Sequence, residues 1–139
     1  MFRNFNMVTK IEAQWIVGFT DGEGCFHIAI NKNKLMKLGY QVLPEFTIVQ
    51  HKRDIQILHA LKHYFGTGVI RQNNKQVMCY RVRNQEMLRT IIVPFFEKHP
   101  LKTKKRLDFI KFRRVLLMME RNEHLEESGL TKIREIKSK

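Results

Sequence analysis

Hydrophobic residues follow two different periods along this chain, and the changes between them divide it into elements. A helical period over residues 10–22 predicts a first helix, with Thr9 as its cap and Glu12 completing a capping box. Gly22 and Gly24 end this helix. From there the pattern changes to strict alternation, which is typical of half-buried strands.

The alternation extends over four short runs, which predict two antiparallel hairpins. Residues 25–33 and 40–50 form the first, and residues 67–72 and 76–83 form the second, which turns at Asn73. One side of the first hairpin is apolar and consists of Phe26, Ile28, Ile30, Val42, Phe46 and Ile48. Each strand is therefore expected to turn one face toward a core and to leave the other face open.

Three further helical segments separate and follow the hairpins. Residues 53–65 carry an apolar stripe that stops at Gly66, and residues 84–97 and 103–122 form two more helices. The order αββαββα predicts an α+β fold with one four-stranded antiparallel sheet. In the last helix the side chains expected in the core are Leu107, Ile110, Val115 and Met118.

One domain over residues 9–122 accounts for the regular elements. An N-terminal arm, residues 1–8, precedes it, and a basic C-terminal tail, residues 123–139, follows and is expected to be loosely held. A chain of 139 residues with 43% hydrophobic content is long enough for one core.

The charge of the chain indicates its partner class. A formal net charge of +13 predicts a polyanionic partner. Cys25 and Cys79 do not make a disulfide scaffold, so a reducing compartment fits best. No signal-peptide core is present and no run approaches the ~18 apolar residues of a membrane span, so neither secretion nor a membrane partner is expected.

The junction between the first helix and the first strand carries the most specific signal. Residues 16–24, Ile-Val-Gly-Phe-Thr-Asp-Gly-Glu-Gly, closely resemble the signature of LAGLIDADG homing endonucleases. The family's glycines and aspartate are matched by Gly18, Asp21, Gly22 and Gly24, and Glu23 occupies the position of its metal-binding acid. The resemblance covers about residues 9–120, including the αββαββα order.

The resemblance implies a function and a set of partners. It implies a site-specific endonuclease that uses Mg²⁺ to break both strands of a long, nearly palindromic duplex across a four-stranded DNA-binding saddle. It also implies an origin in a group I intron. Richness in Lys, Asn, Ile and Phe is typical of an AT-rich genome, and without a transit peptide an organellar location (chloroplast or mitochondrion) requires an organelle-encoded gene. Otherwise the protein is expected to be intracellular.

One copy of the motif implies, in this family, a homodimer. The residues support this independently, because Gln14, Gly18 and Gly22 are spaced by four and form a ridge that lets a partner helix approach closely. Asp21 completes the predicted dimer interface and is expected to brace the helix ends rather than take part in catalysis. Two-fold packing would bring two copies of Glu23 to the dimer axis.

The predicted active site combines a metal site with residues around it. Glu23 is the expected metal ligand, and the resemblance adds the Gly22 carbonyl; such hard oxygen ligands suit Mg²⁺. The resemblance also implies catalytic roles for Gln50 and Lys102, which match positions that order water and stabilise phosphate charge. Either Lys52 or Arg53 adds a further basic group.

The open face of the sheet is predicted to read DNA. The side chains on this face are Cys25, His27, Ala29, Asn31, Asn33, Gln41, Glu45, Thr47, Arg71, Asn73, Arg81 and Arg83. Arginine can read guanine, asparagine or glutamine can read adenine, and glutamate can accept from cytosine in the major groove. The alternative is a sheet face that is merely solvated.

Several other interpretations stay open on the sequence alone. The protein is alternatively a cleavage-inactive DNA-binding protein of the same fold, a maturase that binds intron RNA, or a generic basic protein. Glu23 is alternatively an ordinary surface acid past a helix end. His59 and His63 lie one helical turn apart but lack further metal ligands nearby, and residues 102–114 form either a solvated basic face or a phosphate contact.

Overall fold

A computed structural model describes residues 9–139; the predicted N-terminal arm, residues 1–8, lies outside the described part. The helices and strands, in chain order, are α1 (Ala13–Glu23), β1 (Gly24–Lys32), β2 (Tyr40–His51), α2 (Ile55–Phe65), β3 (Val69–Gln72), β4 (Val77–Val82), α3 (Gln85–Met87), α4 (Val93–Lys98), α5 (Lys105–Glu120) and α6 (Glu127–Ser138). The predicted αββαββα order and the α+β class are confirmed. No helix within the described residues is long and apolar enough to cross a bilayer.

The four strands form one antiparallel sheet in the order β1-β2-β4-β3. Gly24 pairs with Ile48 at one end of the β1–β2 hairpin, and Ile48 pairs in turn with Tyr80 of β4. This register places alternate residues of all four strands on the same side, because side chains alternate along a strand. The apolar set lies toward the helices and the polar set lies on the open side.

The core between the sheet and the helices is strongly aromatic. Phe26 lies at its centre, with ring centroids 5.0–5.4 Å from those of Phe46, Phe96, Phe109 and Phe112. These rings come from β1, β2, α4 and α5, so one cluster joins the sheet to two helices. Burying rings of this size is a major source of stability.

The start of α1 differs from its prediction. Glu12 is itself the cap, because its side chain accepts hydrogen bonds from the main-chain N–H groups of Trp15 (2.7 Å) and Gln14 (3.1 Å). Thr9 precedes the helix and does not cap it. The carboxylate reaches the free N–H groups of the first turn, so the helix begins at Ala13.

The predicted helix over residues 84–97 is present as a continuous helical run over residues 85–98, but a π-helical turn, Leu88–Ile92, lies between α3 and α4. One prediction about α5 was wrong. Leu107 and Ile110 are not in the core: they are 57% and 49% exposed. Val115 and Met118 are buried as predicted, and Phe109, Phe112, Leu116 and Met119 share the inward face of α5 with them.

The prediction of a loosely held C-terminal tail was also wrong. Residues 127–138 form α6, and Leu130, Ile133 and Ile136 are buried in the same core as the sheet. The guanidinium carbon of Arg134 lies 4.6 Å from the ring centroid of Tyr40, where β2 begins. The last helix therefore supports the far end of the first hairpin.

Gly129→Ala should destabilise the protein by about 1–3 kcal/mol, because a methyl group there overfills a packed contact. A Cβ atom on Gly129 would lie 1.7 Å from the carbonyl oxygen of Glu123, and main chain cannot move aside as a flexible side chain can. The measurement is the urea midpoint, compared with that of Ser128→Ala on the exposed side of α6. Equal midpoints for the two variants would contradict the described docking of α6.

Candidate active site and nucleic-acid interface

Glu23 lies where α1 passes directly into β1, and its side chain is exposed. Gly24 makes this direct passage possible. A Cβ atom on Gly24 would lie 2.6 Å from Thr20 Cγ2 and 2.9 Å from the Thr20 carbonyl oxygen, so only glycine fits without a shift. The Gly24 N–H donates to that same carbonyl and closes the helix. The carboxylate is therefore held on a rigid junction without an intervening loop.

Asp21 braces the chain segment that leads into α5, as the sequence predicted. Its carboxylate accepts from the N–H groups of Lys102 (2.9 Å) and Thr103 (3.1 Å) and from Thr103 Oγ1 (2.7 Å). Partial burial acts to raise the pKa of Asp21, but these hydrogen bonds outweigh it, and the pKa lies below its ordinary value. Asp21 stays ionised and fixes the start of α5 beside the end of α1.

Two lysines of this segment lie near the junction, and they differ in what their amines contact. Lys105 Nζ donates to the carbonyl oxygen of Gly24, the residue directly after Glu23. Lys102 Nζ donates to the carbonyl oxygen of Pro100 at 3.2 Å, within its own loop. Lys102 was predicted from the sequence and Lys105 was not. The sequence shows a Lys-rich run at the start of the helix, but it does not show which amine of that run reaches the junction.

Gln50 lies at the same end of the sheet as Glu23. It is two residues beyond Ile48, the pairing partner of Gly24, and it shares the helix-facing side of β2 with Ile48. Lys52 and Arg53 follow in an exposed turn, where the Lys52 N–H donates to the Gln76 carbonyl. The register thus places Gln50 at the end of the sheet where Glu23 lies, and both basic residues are exposed.

The face of α1 that carries the glycine ridge is not covered by any other part of residues 9–139. Gln14, Gly18 and Gly22 are all exposed, and a Cβ atom on either glycine would meet none of the described atoms within 4 Å. Trp15, 38% exposed, stacks on Phe19 beside the ridge with ring centroids 4.7 Å apart. A flat, partly aromatic helix face of this kind is suited to packing against a second helix.

The open face of the sheet carries most of the predicted DNA-reading residues. Cα pairing aligns Cys25 with Thr47, His27 with Glu45, Asn31 with Gln41, and Thr47 with Arg81. The same parity puts Ala29, Arg71 and Arg83 on this side. It also puts there five less polar residues that were not predicted from the sequence: Leu43, Val49, Val69, Val77 and Cys79. Strict alternation would have identified them.

Two of the predicted residues lie in turns rather than in strands. Asn33 Oδ1 accepts from the Leu35 N–H (3.0 Å), and Asn33 Nδ2 donates to Gln41 Oε1 (3.1 Å). The side chain of Asn33 therefore holds the turn of the first hairpin. Asn73 lies in the turn of the second hairpin, where its main-chain N–H donates to Val77.

The remaining candidate ligands do not gather into a preformed site. Cys25 and Cys79 are free, and burial raises the pKa of the Cys25 thiol, which favours its protonated form. His59 and His63 both lie on the exposed side of α2. Within residues 9–139, no three histidine, cysteine, aspartate or glutamate side chains come together as metal ligands.

Comparison with known proteins finds intron-encoded endonucleases and solved structures of homing endonucleases. The chain is 34% identical over 125 residues to "Probable intron-encoded endonuclease 2" of Neurospora crassa, covering 89% of this chain and 26% of that protein. The crystal structure of the homing endonuclease I-TnaI matches with 57% identity and a TM-score of 0.90, covering 93% of this chain and 87% of that one. I-SmaMI bound to uncleaved DNA with calcium ions matches with 38% identity and a TM-score of 0.91, covering 92% and 44%.

The chain spans about a quarter of the length of several curated relatives that it matches. The model of the LAGLIDADG endonuclease family matches residues 16–116, from the middle of α1 to within α5. That range contains Glu23, the whole sheet and both lysines at the junction. The chain belongs to the LAGLIDADG endonuclease family.

Proposed function

We propose that this chain is a site-specific homing endonuclease that makes a metal-dependent double-strand break in a long, pseudo-palindromic DNA site. The observation that carries the proposal is the position of Glu23. Its exposed carboxylate lies at the end of a bare glycine face and beside a polar, basic sheet face. A carboxylate at that junction can face a second subunit and a bound duplex together.

Double-stranded DNA is the substrate that charge and shape favour. The net charge of +13 provides long-range attraction to phosphates. β2 has 12 residues, so at about 3.3 Å per residue it is about 40 Å long, and a β-ribbon of this kind fits a major groove. The related I-SmaMI was solved on a DNA target. These features support recognition of many base pairs along the groove.

A divalent cation is the cofactor that the donors at the junction fit. The Glu23 carboxylate and the Gly22 carbonyl are hard oxygen ligands of the type that Mg²⁺ prefers. Residues 9–139 of one copy bring no three acidic, histidine or cysteine side chains together, so a second Glu23, DNA phosphates and water would complete the coordination. When bound, such ions activate water and stabilise the leaving oxygen of the phosphodiester.

The other residues at the junction act on the phosphate and on water. Lys105, held against the Gly24 carbonyl, places a positive charge next to Glu23, where it can offset charge that develops on the phosphate. Gln50 offers an amide to order the attacking water. Lys102 is a second source of positive charge, farther along the loop. The carboxylate of Asp21 is occupied by its hydrogen bonds and stays outside the chemistry.

The active enzyme is proposed to be a homodimer that packs through the α1 faces of two copies. Gly18 and Gly22 leave room for a helix to approach the backbone, and Gln14 and Asp21 border that strip. Two copies related by a two-fold axis would place two Glu23 carboxylates together, one for each strand of the duplex. The DNA-bound I-SmaMI chain is more than twice as long as the part that matches, which fits a site that needs two such units.

The gene is proposed to lie in a group I intron of an organellar genome, a chloroplast's or a mitochondrion's. The Neurospora relative is named as intron-encoded, which supports the intron location. An enzyme of this kind would cut an allele that lacks the intron, because the intron interrupts its site.

The direct test is cleavage of randomised duplexes by the purified chain, followed by sequencing of the cut ends. The proposal predicts that cuts with Mg²⁺ fall within one approximately palindromic sequence and that EDTA abolishes them. Absence of any enriched cut sequence would overturn the proposal. Tight binding to intron transcripts without any DNA cleavage would favour the maturase alternative.

Lys105→Ala should lower the cleavage rate by about 100-fold, the usual effect of removing one group that stabilises transition-state charge. Lys102→Ala should lower it by less than about 10-fold, because its amine lies on its own loop. Each variant removes one positive charge from the same segment, so each is the control for the other. The measurement is single-turnover cleavage of the selected site, with affinity determined in parallel. A larger loss in Lys102→Ala would reverse the assignment.

A further inference from the structure

The open face of the sheet contains an ion pair that joins two of its predicted reading residues. Arg83 Nε donates to Glu45 Oε1 at 2.9 Å. Glu45 lies on β2, opposite His27 of β1, and Arg83 directly follows β4. The two residues are 38 positions apart in sequence, so the sheet register creates the pair.

The two partners of this pair differ in their access to a ligand. The Glu45 side chain is only 18% exposed, whereas the Arg83 side chain is 52% exposed. The carboxylate is thus covered and already accepts from arginine. The terminal N–H groups of the guanidinium bond to no other described residue, and they can form two parallel hydrogen bonds to guanine O6 and N7. In this arrangement Arg83 can contact a base, whereas Glu45 can only orient the Arg83 guanidinium.

Arg81 lies on β4, two residues before Arg83 and on the same face, but it has no such carboxylate partner among the described residues. It aligns with Thr47 on one side and Val69 on the other, and its Nε is buried with no hydrogen-bond partner among the described residues. Arg81 and Arg83 are two residues apart, which along a strand is about 6.6–6.8 Å. That is close to two base-pair steps of about 3.4 Å each.

We propose that Glu45 is a positioning residue that fixes the Arg83 guanidinium to read one guanine in each half-site. The inference rests on the proposed function, since it requires that the sheet bind a DNA duplex. It departs from the interpretation of Glu45 as a direct acceptor from cytosine. A carboxylate that orients arginine reduces the side-chain entropy that the arginine loses when it binds DNA. The arginine in turn offsets the negative charge of the carboxylate, which would otherwise repel phosphate.

The test is a binding selection from randomised duplexes without divalent metal, carried out on the parent chain and on single variants. Arg83→Ala should lose about ten-fold in preference for guanine at one base pair per half-site. Glu45→Ala should lose a similar preference at that same base pair. Arg81→Ala should act about two base pairs away.

Two further variants separate positioning from a general structural effect. Glu45→Gln keeps an oxygen that can accept from Arg83 Nε and should retain most of the guanine preference. Glu120→Ala breaks another 2.9 Å ion pair, with Arg89 on the helices, and should leave the selected sequence unchanged. Affinity of Glu45→Ala for unselected DNA should hold or rise, because a negative charge is removed.

Three outcomes would overturn the inference. Glu45→Ala could relax a cytosine at a different base pair, which would mean that Glu45 reads a base itself. It could weaken all sequences equally while the guanine preference stays, which would mean that the pair only stabilises the sheet. A parent chain that enriches no duplex would contradict the proposed function and the inference with it.

Discussion

Glu23→Gln is expected to abolish strand cleavage while the affinity for the selected duplex stays within a few-fold of the parent's. Glutamine keeps the size of the side chain and one neutral oxygen, but it loses the charge that would hold a divalent cation beside a phosphate. Loss of several kcal/mol of transition-state stabilisation corresponds to at least about a thousand-fold in rate. Glu23 is exposed, so the substitution leaves the packing of the junction unchanged.

The measurement is a paired assay of cleavage with Mg²⁺ and of binding without it. Removing a carboxylate from each copy lowers repulsion against the DNA backbone, so binding without metal should hold or tighten. Glu12→Gln is a matched control, since Glu12 is an exposed acid that caps the opposite end of the same helix. Cleavage near the parent's rate in Glu23→Gln would exclude Glu23 as the metal ligand, and loss of both binding and cleavage would indicate a structural role.

The strands and their faces could be predicted because burial requires strict alternation. A shift of one residue would expose Phe26 and Phe46 and bury polar side chains, so the sequence specifies the register closely. The junction at Glu23 could also be predicted. The close contact with Thr20 requires glycine at position 24, and that glycine marks the junction in the sequence. The strand faces depend on a period of two residues, and the junction depends on residues that are close together in the sequence.

The parts that could not be predicted depend on contacts between distant elements. Choosing Lys105 over Lys102 requires knowing how α5 meets the end of α1, 81 positions earlier. Leu107 and Ile110 seemed to be core residues because apolar residues recur along α5, but the sheet, α4 and α6 cover other sides of that helix. The basic composition of the tail concealed the apolar stripe of α6, since solvated lysines alternate with Leu130, Ile133 and Ile136.

Gly18→Leu is expected to separate the proposed dimer into folded monomers. A leucine at the centre of the bare α1 face would hold two helices apart, and overpacking costs about 1–3 kcal/mol at each of two symmetric positions. The dissociation constant should therefore rise by roughly 30-fold or more. Each of the two DNA strands needs its own Glu23 in the proposed dimer. Double-strand cleavage should therefore fall together with dimerisation.

The same substitution should leave the folded monomer intact, and this makes the test specific. Within residues 9–139 of its own chain, a Cβ atom on Gly18 meets nothing within 4 Å, so the substitution disturbs no described internal contact. Replacing glycine inside a helix gains about 0.5–1 kcal/mol of helix propensity, so the monomer's thermal stability should hold or rise. Sedimentation measures the assembly and circular dichroism measures the fold.

Gln56→Leu is the matched control, because it adds an exposed leucine to α2, on a helix outside the proposed interface. It should sediment as the parent does and cut at the parent's rate. If Gly18→Leu also sediments as an intact dimer, the subunits meet through another surface. The two copies of Glu23 would then not share an axis, and the glycine face of α1 would need a different explanation. If Gly18→Leu instead unfolds, the bare face must already be filled within a single chain, which contradicts the geometry around Gly18 and Gly22.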